Sequence, residues 1–332
     1  MGADGSRGST PRGGWPQRHG RYACTLALND VRSVEDVTAF LASHHGAPVT
    51  DLELLSGGSW SAAYAYRQDD RELVLRLGSS HEWFATDRDA MAHSREGLPV
   101  PAVLDIGDAF GGAYAISERH HGRFLESVRA DETDVAGPTL MSLLAALRSV
   151  PDDGRGQGSW RDWLVASLRD DPGHPVSGWR ATLAAEPALD RVHRACESRI
   201  HELLDACPDR RDLIHGDLLH GNVLIAPDAS RVNAVFSWKC SLRGDFLFDV
   251  ALCTFWGAIA HPGIGAIDSF GRTLATAPAG VLADAAIRHH CYELHIGTSH
   301  LGWYAWTGDD DWLRLDAAHL EMLLERGPVT TA

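Results

Sequence analysis

The chain has 332 residues, enough for one large two-lobed domain or two ordinary ones, and its 44% hydrophobic and 23% charged residues are an ordinary globular mixture. No run of uncharged apolar residues is long enough for a membrane-spanning helix, and residues 1–22 hold no apolar core of signal-peptide type, which argues against a spanning segment and against export. Thirty basic residues against 45 acidic ones give a net charge of −15, which speaks against nucleic acid or an anionic membrane as partner and suits a cationic ligand.

The first residues are rich in Gly, Arg, Pro and Ser without apolar periodicity, and residues 1–24 are expected to form a disordered tail. The start Met1-Gly2 fits a lipid-acceptor pattern that chance supplies in any Gly-rich tail. Ser33, with Asp36 three residues on, caps a helix in which Val34, Val37, Phe40 and Leu41 share one face. Three short strands follow at 51–55, 62–66 and 72–77. The first two are joined by Ser56-Gly57-Gly58-Ser59-Trp60-Ser61 and the last two by Gln68-Asp69-Asp70, which predicts an antiparallel meander. A helix over 83–96 is stopped by Leu98-Pro99-Val100-Pro101. Strands at 102–106 and 112–117 complete a small α+β lobe, and a crossover lies at 117–119.

Beyond it the pattern is helical. Leu140, Leu143, Leu144 and Leu147 form one stripe, Trp160, Trp163, Leu164 and Leu168 another, and Leu189, Val192, Cys196, Ile200 and Leu203 a third that stops before Pro208. Short strands are expected around 214, 223–225 and 232–236, with helices to 325. Six cysteines, at 24, 196, 207, 240, 253 and 291, are widely spaced with no CxxC, the pattern of reduced thiols in a cytoplasmic protein. Lys239 is the only lysine and is expected at the surface, as most lysines are.

The informative stretch runs from Leu213 to Ile225 as strand, polar loop, strand. Within it His215-Gly216-Asp217 is followed by Asn222, with four residues between Asp217 and Asn222, the spacing of a protein-kinase catalytic loop. The chemistry asks for that pairing. A carboxylate orients an attacking hydroxyl and takes its proton, while an amide oxygen holds the Mg²⁺ that neutralises phosphates. The bland alternative is a turn in which Asp and Asn bond to local backbone. The run Gly244-Asp245-Phe246-Leu247-Phe248-Asp249 follows 22 residues after Asn222.

HGDxxxxN, a hydrophobic strand ending in Trp238 and then GDxxxD together resemble the aminoglycoside phosphotransferase family. Asp87-Arg88, the segment Leu98 to Gly107 and the helix ending in Ala206-Cys207-Pro208 are most similar to its hygromycin B phosphotransferase subgroup. The resemblance covers roughly residues 30–260. It implies an α+β, bilobal protein-kinase-like fold, with a small antiparallel-sheet N-lobe over 25–118 that binds nucleotide and a larger, mainly helical C-lobe over 119–332. It also implies ATP as phosphoryl donor, Mg²⁺, and a hydroxyl of a cationic aminoglycoside as acceptor. Carried over by position, Asp217 is the catalytic carboxylate, His215 braces the loop and Asn222 is a metal ligand. Arg76 faces the α/β-phosphates with Asp87 as its partner. Ser59 and its glycine neighbours cover the phosphates, and main-chain groups of Ser117 and Arg119 face adenine. Read without the resemblance, Arg76 is equally an exposed strand residue, Asp87 a solvated helix residue and Gly57-Gly58 a plain hairpin turn.

One position departs from the family. Its second metal-binding Asp, on the strand after the loop, is replaced here by Ser237 in Val235-Phe236-Ser237-Trp238. A neutral hydroxyl is a poor ligand for a hard dication. The alternatives are Asp245 as the missing acid, Ser237 acting through water, or a kinase-like binding protein without catalysis. For the acceptor side, Glu293, Asp309, Asp310, Asp311 and Asp316 are candidate carboxylates, interleaved with Trp303, Trp306 and Trp312. Helix packing and a solvated helix start are the commoner uses of such residues. The His289-His290-Cys291-Tyr292-Glu293 run lacks the spacing of a zinc motif and is expected on an amphipathic helix with interfacial histidines. The sequence does not give the oligomeric state.

Overall fold

The computed structural model describes residues 31–57, 61–154, 158–174 and 176–329. The tail expected over 1–24, Cys24 and the connection Gly58-Ser59-Trp60 lie outside the described residues.

Helix α1 (Val34–His45) is capped as its sequence asks: the Ser33 hydroxyl accepts the Asp36 N–H at 3.0 Å, and Gly46 ends the helix at φ 66°. Strands β1 (Thr50–Gly57), β2 (Ser61–Gln68) and β3 (Arg71–Gly78) form the antiparallel meander. After α2 (His81–Ala90), strands β4 (Val103–Ala109) and β5 (Gly112–Glu118) complete a five-stranded sheet in the order β1-β2-β3-β5-β4. Val37 and Leu41 of α1 pack with Tyr64, Tyr66, Leu73 and Leu75 on one face of the sheet, while Phe84 of α2 meets Val103, Ala113 and Ala115 on the other. Strand alternation therefore decides where Arg76 goes. Leu73, Leu75 and Leu77 of β3 fill the α1 side, so Arg76 points to the opposite face.

The helix expected over 83–96 ends at Ala90. A single 3₁₀ turn follows, and Arg95 and Leu98 then exchange both backbone hydrogen bonds (3.1 and 3.0 Å) around Gly97, whose φ is 78°. Helical backbone thus ends at His93, with Ser94 already extended, before Pro99 is reached, and the positive φ of Gly97 closes the turn between Arg95 and Leu98.

The larger lobe begins with β6 (Arg123–Phe124), α3 (Thr133–Arg148), α4 (Trp160–Ala166), α5 (Trp179–Ala185) and α6 (Pro187–Leu203). Next come β7 (Asp212–Ile214), β8 (Val223–Ile225), β9 (Val232–Val235) and β10 (Leu242–Gly244). Helices α7 (Leu247–Ile259), α8 (Pro262–Gly265), α9 (Ser269–Thr276), α10 (Ala285–Thr307) and α11 (Asp310–Arg326) complete it. β7 pairs with β10, and β8 lies between β6 and β9, all antiparallel. The two-lobed α+β architecture is the one expected. β6 and β10, of two and three residues, are too short for any periodicity to reveal. No helix among the described residues is long and apolar enough to cross a membrane.

Helix α10 is the axis of this lobe, packed by α5, α6, α7 and α11. Its histidines are interior rather than interfacial: His289, His290 and His295 are at most 3% exposed. Asp316 on α11 is fully buried, and neither carboxylate oxygen has a hydrogen-bond partner among the described residues. Burial pushes its carboxyl well above the usual range. Replacing it with leucine, of similar volume, removes an unsatisfied polar group. Asp316→Leu is expected to stabilise the fold by about 1–3 kcal/mol, read as a higher melting temperature. A lower one would show that the carboxyl has a partner.

Candidate active site

The loop over residues 215–222 joins β7 to β8, and one carboxylate fixes its start. Asp249, in the first turn of α7 and 2% exposed, accepts the N–H groups of His215 (2.8 Å) and Gly216 (2.9 Å), one on each oxygen. Gly216 has φ 76°, and a Cβ there would lie 2.7 Å from the Cys240 carbonyl oxygen, so only glycine fits. His215 is fully buried. Its Nδ1 accepts the Asp217 N–H at 3.2 Å and its Nε2–H donates to the Phe236 carbonyl at 3.2 Å. That pattern requires a neutral ring, and burial holds His215 below the usual histidine value.

So braced, the loop presents Asp217. Asn222 Nδ2 donates to Asp217 Oδ2 at 2.9 Å and to the Asp217 carbonyl at 2.7 Å. The other carboxylate oxygen pairs with His220 Nδ1. The Gly221 N–H donates to Glu126 Oε1 at 2.6 Å, tying the far end of the loop to the segment after β6. Burial alone would raise the Asp217 carboxyl, but the His220 ring beside it, with His215 and Lys239 further off, keeps it below the usual aspartate value. Asp217 is therefore ionised at neutral pH, suited to orient a hydroxyl rather than to act as a strong base.

A cleft of about 320 Å³ opens between the lobes. Val74 and Ala63 of the sheet and Leu224 and Phe236 of the large lobe wall it, and the crossing segment from Ser117 to Gly122 lines its edge. Arg76 and Asp87 lie in the same cleft. Arg76 pairs with Asp87, its guanidinium 5.1 Å above the Phe84 ring. The second oxygen of Asp87, a residue only 5% exposed, accepts the Trp238 N–H at 2.6 Å. The pair thus links β3 to the turn that follows β9. Ser117 is buried on the cleft wall. Arg119 also lines the cleft, but its N–H donates to the Glu72 carbonyl at 3.0 Å and its guanidinium to Glu53 at 2.7 Å. That corrects the expectation for Arg119: its main-chain donor is spent inside the sheet. Ser59 lies outside the described residues.

The metal expectation also needs correction. Ser237 brings a neutral hydroxyl, on backbone at φ 68° and ψ 59°. Asp245 is no substitute. It is fully buried, held by Arg288 Nε and Nη2 at 2.7 Å each and by the Tyr292 hydroxyl at 2.7 Å. Asp217 is engaged on both oxygens, and no group of three His, Cys, Asp or Glu placed to hold a metal ion occurs among the described residues. What remains is the Asn222 amide oxygen and one hydroxyl. That donor set does not fit a firmly held Mg²⁺, which asks for carboxylates.

The acceptor-side candidates do not converge. Glu293 is 3% exposed and bonded to Arg326 (2.7 Å) and Thr254 (3.0 Å). Asp316 is sealed in the core, and Asp309 caps α11 by accepting the Trp312 N–H at 3.2 Å. Asp310 and Asp311 sit in the first turn of that helix. Trp312 stacks on Tyr304 (centroids 5.9 Å apart), and Trp303 packs on Trp306 (5.3 Å). Two residues around the loop were not singled out from sequence. His220 stands three residues after Asp217, a spacing that was readable; Glu126, 95 residues before Gly221, left no signal. Lys239 is not the surface lysine expected. It is partly buried, its Nζ lies 5.3 Å over the Trp83 ring, and burial pushes its pKa down to about 8.

Residues 51–281 match the model of a family described as the phosphotransferase enzyme family. The hygromycin-B 4-O-kinase of Escherichia coli is 31% identical over 225 residues, which make up 63% of this chain and 63% of that protein. The chain thus spans less than two thirds of that relative's length. Acyl-CoA dehydrogenase family member 10 of Mus musculus is 24% identical over 247 residues, 68% of this chain but 22% of that one. Among solved structures, a thermostable mutant of the aminoglycoside phosphotransferase APH(4)-Ia, in a ternary complex with AMP-PNP and hygromycin B, superposes with a TM-score of 0.76 at 25% identity, covering 89% of this chain and 100% of that one. The GDP complex of aminoglycoside 2'-phosphotransferase-IIIa gives 0.64 at 13% identity over 89% and 99%, a likeness of fold alone.

Proposed function

The chain belongs to the phosphotransferase enzyme family, and from that premise we propose that it transfers the terminal phosphoryl group of ATP to a hydroxyl of an aminoglycoside of the hygromycin B kind, in the cytoplasm, and so confers resistance. The observation that carries this reading is the Asp217–Asn222 pair, joined at 2.9 Å on a loop pinned by Asp249. The named activity of the Escherichia coli relative and the AMP-PNP and hygromycin B bound by the structural relative support the choice of donor and acceptor.

On this reading residues 25–118 bind the nucleotide and 119–332 hold the acceptor. The acceptor hydroxyl donates to the Asp217 carboxylate. Its oxygen bonds to the terminal phosphorus as the bond from that phosphorus to the bridging oxygen breaks, ADP departs, and the hydroxyl proton passes to Asp217 and on to water. Asp217 supplies aim and a negative charge rather than basicity, which suits a loose transition state with little covalent work for the protein. Arg76, fixed by Asp87, faces phosphate oxygens. The net charge of −15 draws in a polycation.

A non-catalytic binding protein is the weaker reading, since Ser237 alone argues for it. Ser237→Asp separates the two: under phosphoryl transfer it leaves turnover unchanged or lower, whereas creation of activity in an inert protein would favour the binding reading. The experiment that tests the proposal itself is a panel of aminoglycosides incubated with ATP, each product weighed by mass spectrometry. The proposal expects one added phosphoryl group on hygromycin B or a close analogue. No phosphorylated product across the panel would overturn it.

A further inference from the structure

We propose that the Lys239 ammonium neutralises the nucleotide's phosphates in this site, in the place of a carboxylate-held divalent ion. The inference rests on the phosphotransferase reading above. It starts from the mismatch at the metal site: an amide and a hydroxyl remain where the chemistry calls for carboxylates, and the polyphosphate still needs a counter-charge.

Lys239 stands two residues after Ser237, in the 3₁₀ turn Trp238–Cys240. That turn is fastened on three sides. The Trp238 N–H is held by Asp87 at 2.6 Å, the Trp238 indole donates to the Val235 carbonyl at 3.2 Å, and the Cys240 carbonyl lies against Gly216 of the catalytic loop. The lysine stem runs toward α2, where Nζ sits 5.3 Å over the Trp83 ring. A cation over an indole face keeps its charge while shedding part of its water. The ammonium is within electrostatic reach of both Asp217 and Asp87, the carboxylates at the two ends of the path between the catalytic loop and Arg76. A compact point charge there serves phosphate oxygens of any orientation. It also repels a dication entering the same space. The chain has no other lysine, its 30 basic residues being otherwise arginine.

The test is calorimetric titration of the full chain with AMP-PNP, once with Mg²⁺ and once with EDTA. Wild-type affinity is expected to change by less than about fivefold between the two buffers. Lys239→Met keeps the stem on Trp83 but removes the charge, and it is expected to weaken AMP-PNP by about tenfold or more in EDTA, whereas Lys239→Arg stays within about fivefold of wild type. A wild-type protein that loses more than about fivefold in EDTA overturns the inference, as does a Lys239→Met protein that binds as tightly as wild type. The first comparison needs no variant, so a misfolded Lys239→Met leaves the question decidable. Wild type that binds no AMP-PNP in either buffer defeats the phosphotransferase reading itself, a different failure from binding that ignores Lys239.

Discussion

Asp217→Asn is expected to slow phosphoryl transfer by about 10³-fold, with AMP-PNP affinity within about threefold of wild type and the melting temperature unchanged. The substitution keeps shape and removes charge. Asp217 Oδ2 meets Asn222, Oδ1 meets His220, and neither contact anchors the core, since Asp249 and His215 hold the loop from behind. An amide at this place cannot take the acceptor's proton and no longer draws the hydroxyl into line. Affinity should survive because the cleft walls and the Arg76–Asp87 pair are untouched. Full turnover in the variant would remove Asp217 from the chemistry.

The second large effect is acid unfolding. Burial drives the pKa of His289 down to about 3 and those of His261, His290, His295 and His300 down to about 4. The unfolded chain takes up these protons near the ordinary histidine value of about 6.5, while the folded chain refuses them until far lower pH. Their contribution to stability is thus present above about pH 6.5 and is lost as pH falls toward the folded values, by up to about 1.4 kcal/mol per pH unit for each ring. Asp249 works in the opposite direction. Burial pushes its carboxyl up to about 6, so acidification between there and the ordinary carboxylate range returns a like amount for one group. Asp316, Glu126 and Glu293, whose carboxyls burial also raises, act with Asp249 and offset part of the loss from the five rings, and a domain of ordinary stability is expected to lose stability steadily and to unfold cooperatively between about pH 6 and about pH 4. Circular dichroism against pH reads this directly. A protein still folded and cooperative in its melting at about pH 4 would show that water or a counter-charge reaches these rings.

What the sequence displays and what it hides follows from contact range. The Ser33 cap, the β3 alternation that aims Arg76 and the spacing from His215 to Asn222 are all local, and each is written in adjacent residues. The contacts that finish the site are not. Asp87 reaches Trp238 across 151 residues and Glu126 reaches Gly221 across 95, so neither pairing leaves a periodicity to find. Burial is equally invisible locally. Glu293 and Asp316 look like carboxylates for a cationic ligand, yet α7 and α11 close over α10 and consign them to the interior. Lys239 is the same case in reverse, a residue type that belongs at the surface but is drawn inward by Trp83 and the Asp87-bound turn. The Arg119 N–H fails as a ring donor because β5 runs one residue further than its alternation suggests, and the ladder to Glu72 claims it.

A crystal structure of the full chain with AMP-PNP tests the central geometry most directly. The account predicts the ring between Val74 and Phe236, and the terminal phosphate facing the joined side chains of Asp217 and Asn222. A terminal phosphate directed away from that loop, or the two side chains parted with the nucleotide bound, would contradict it.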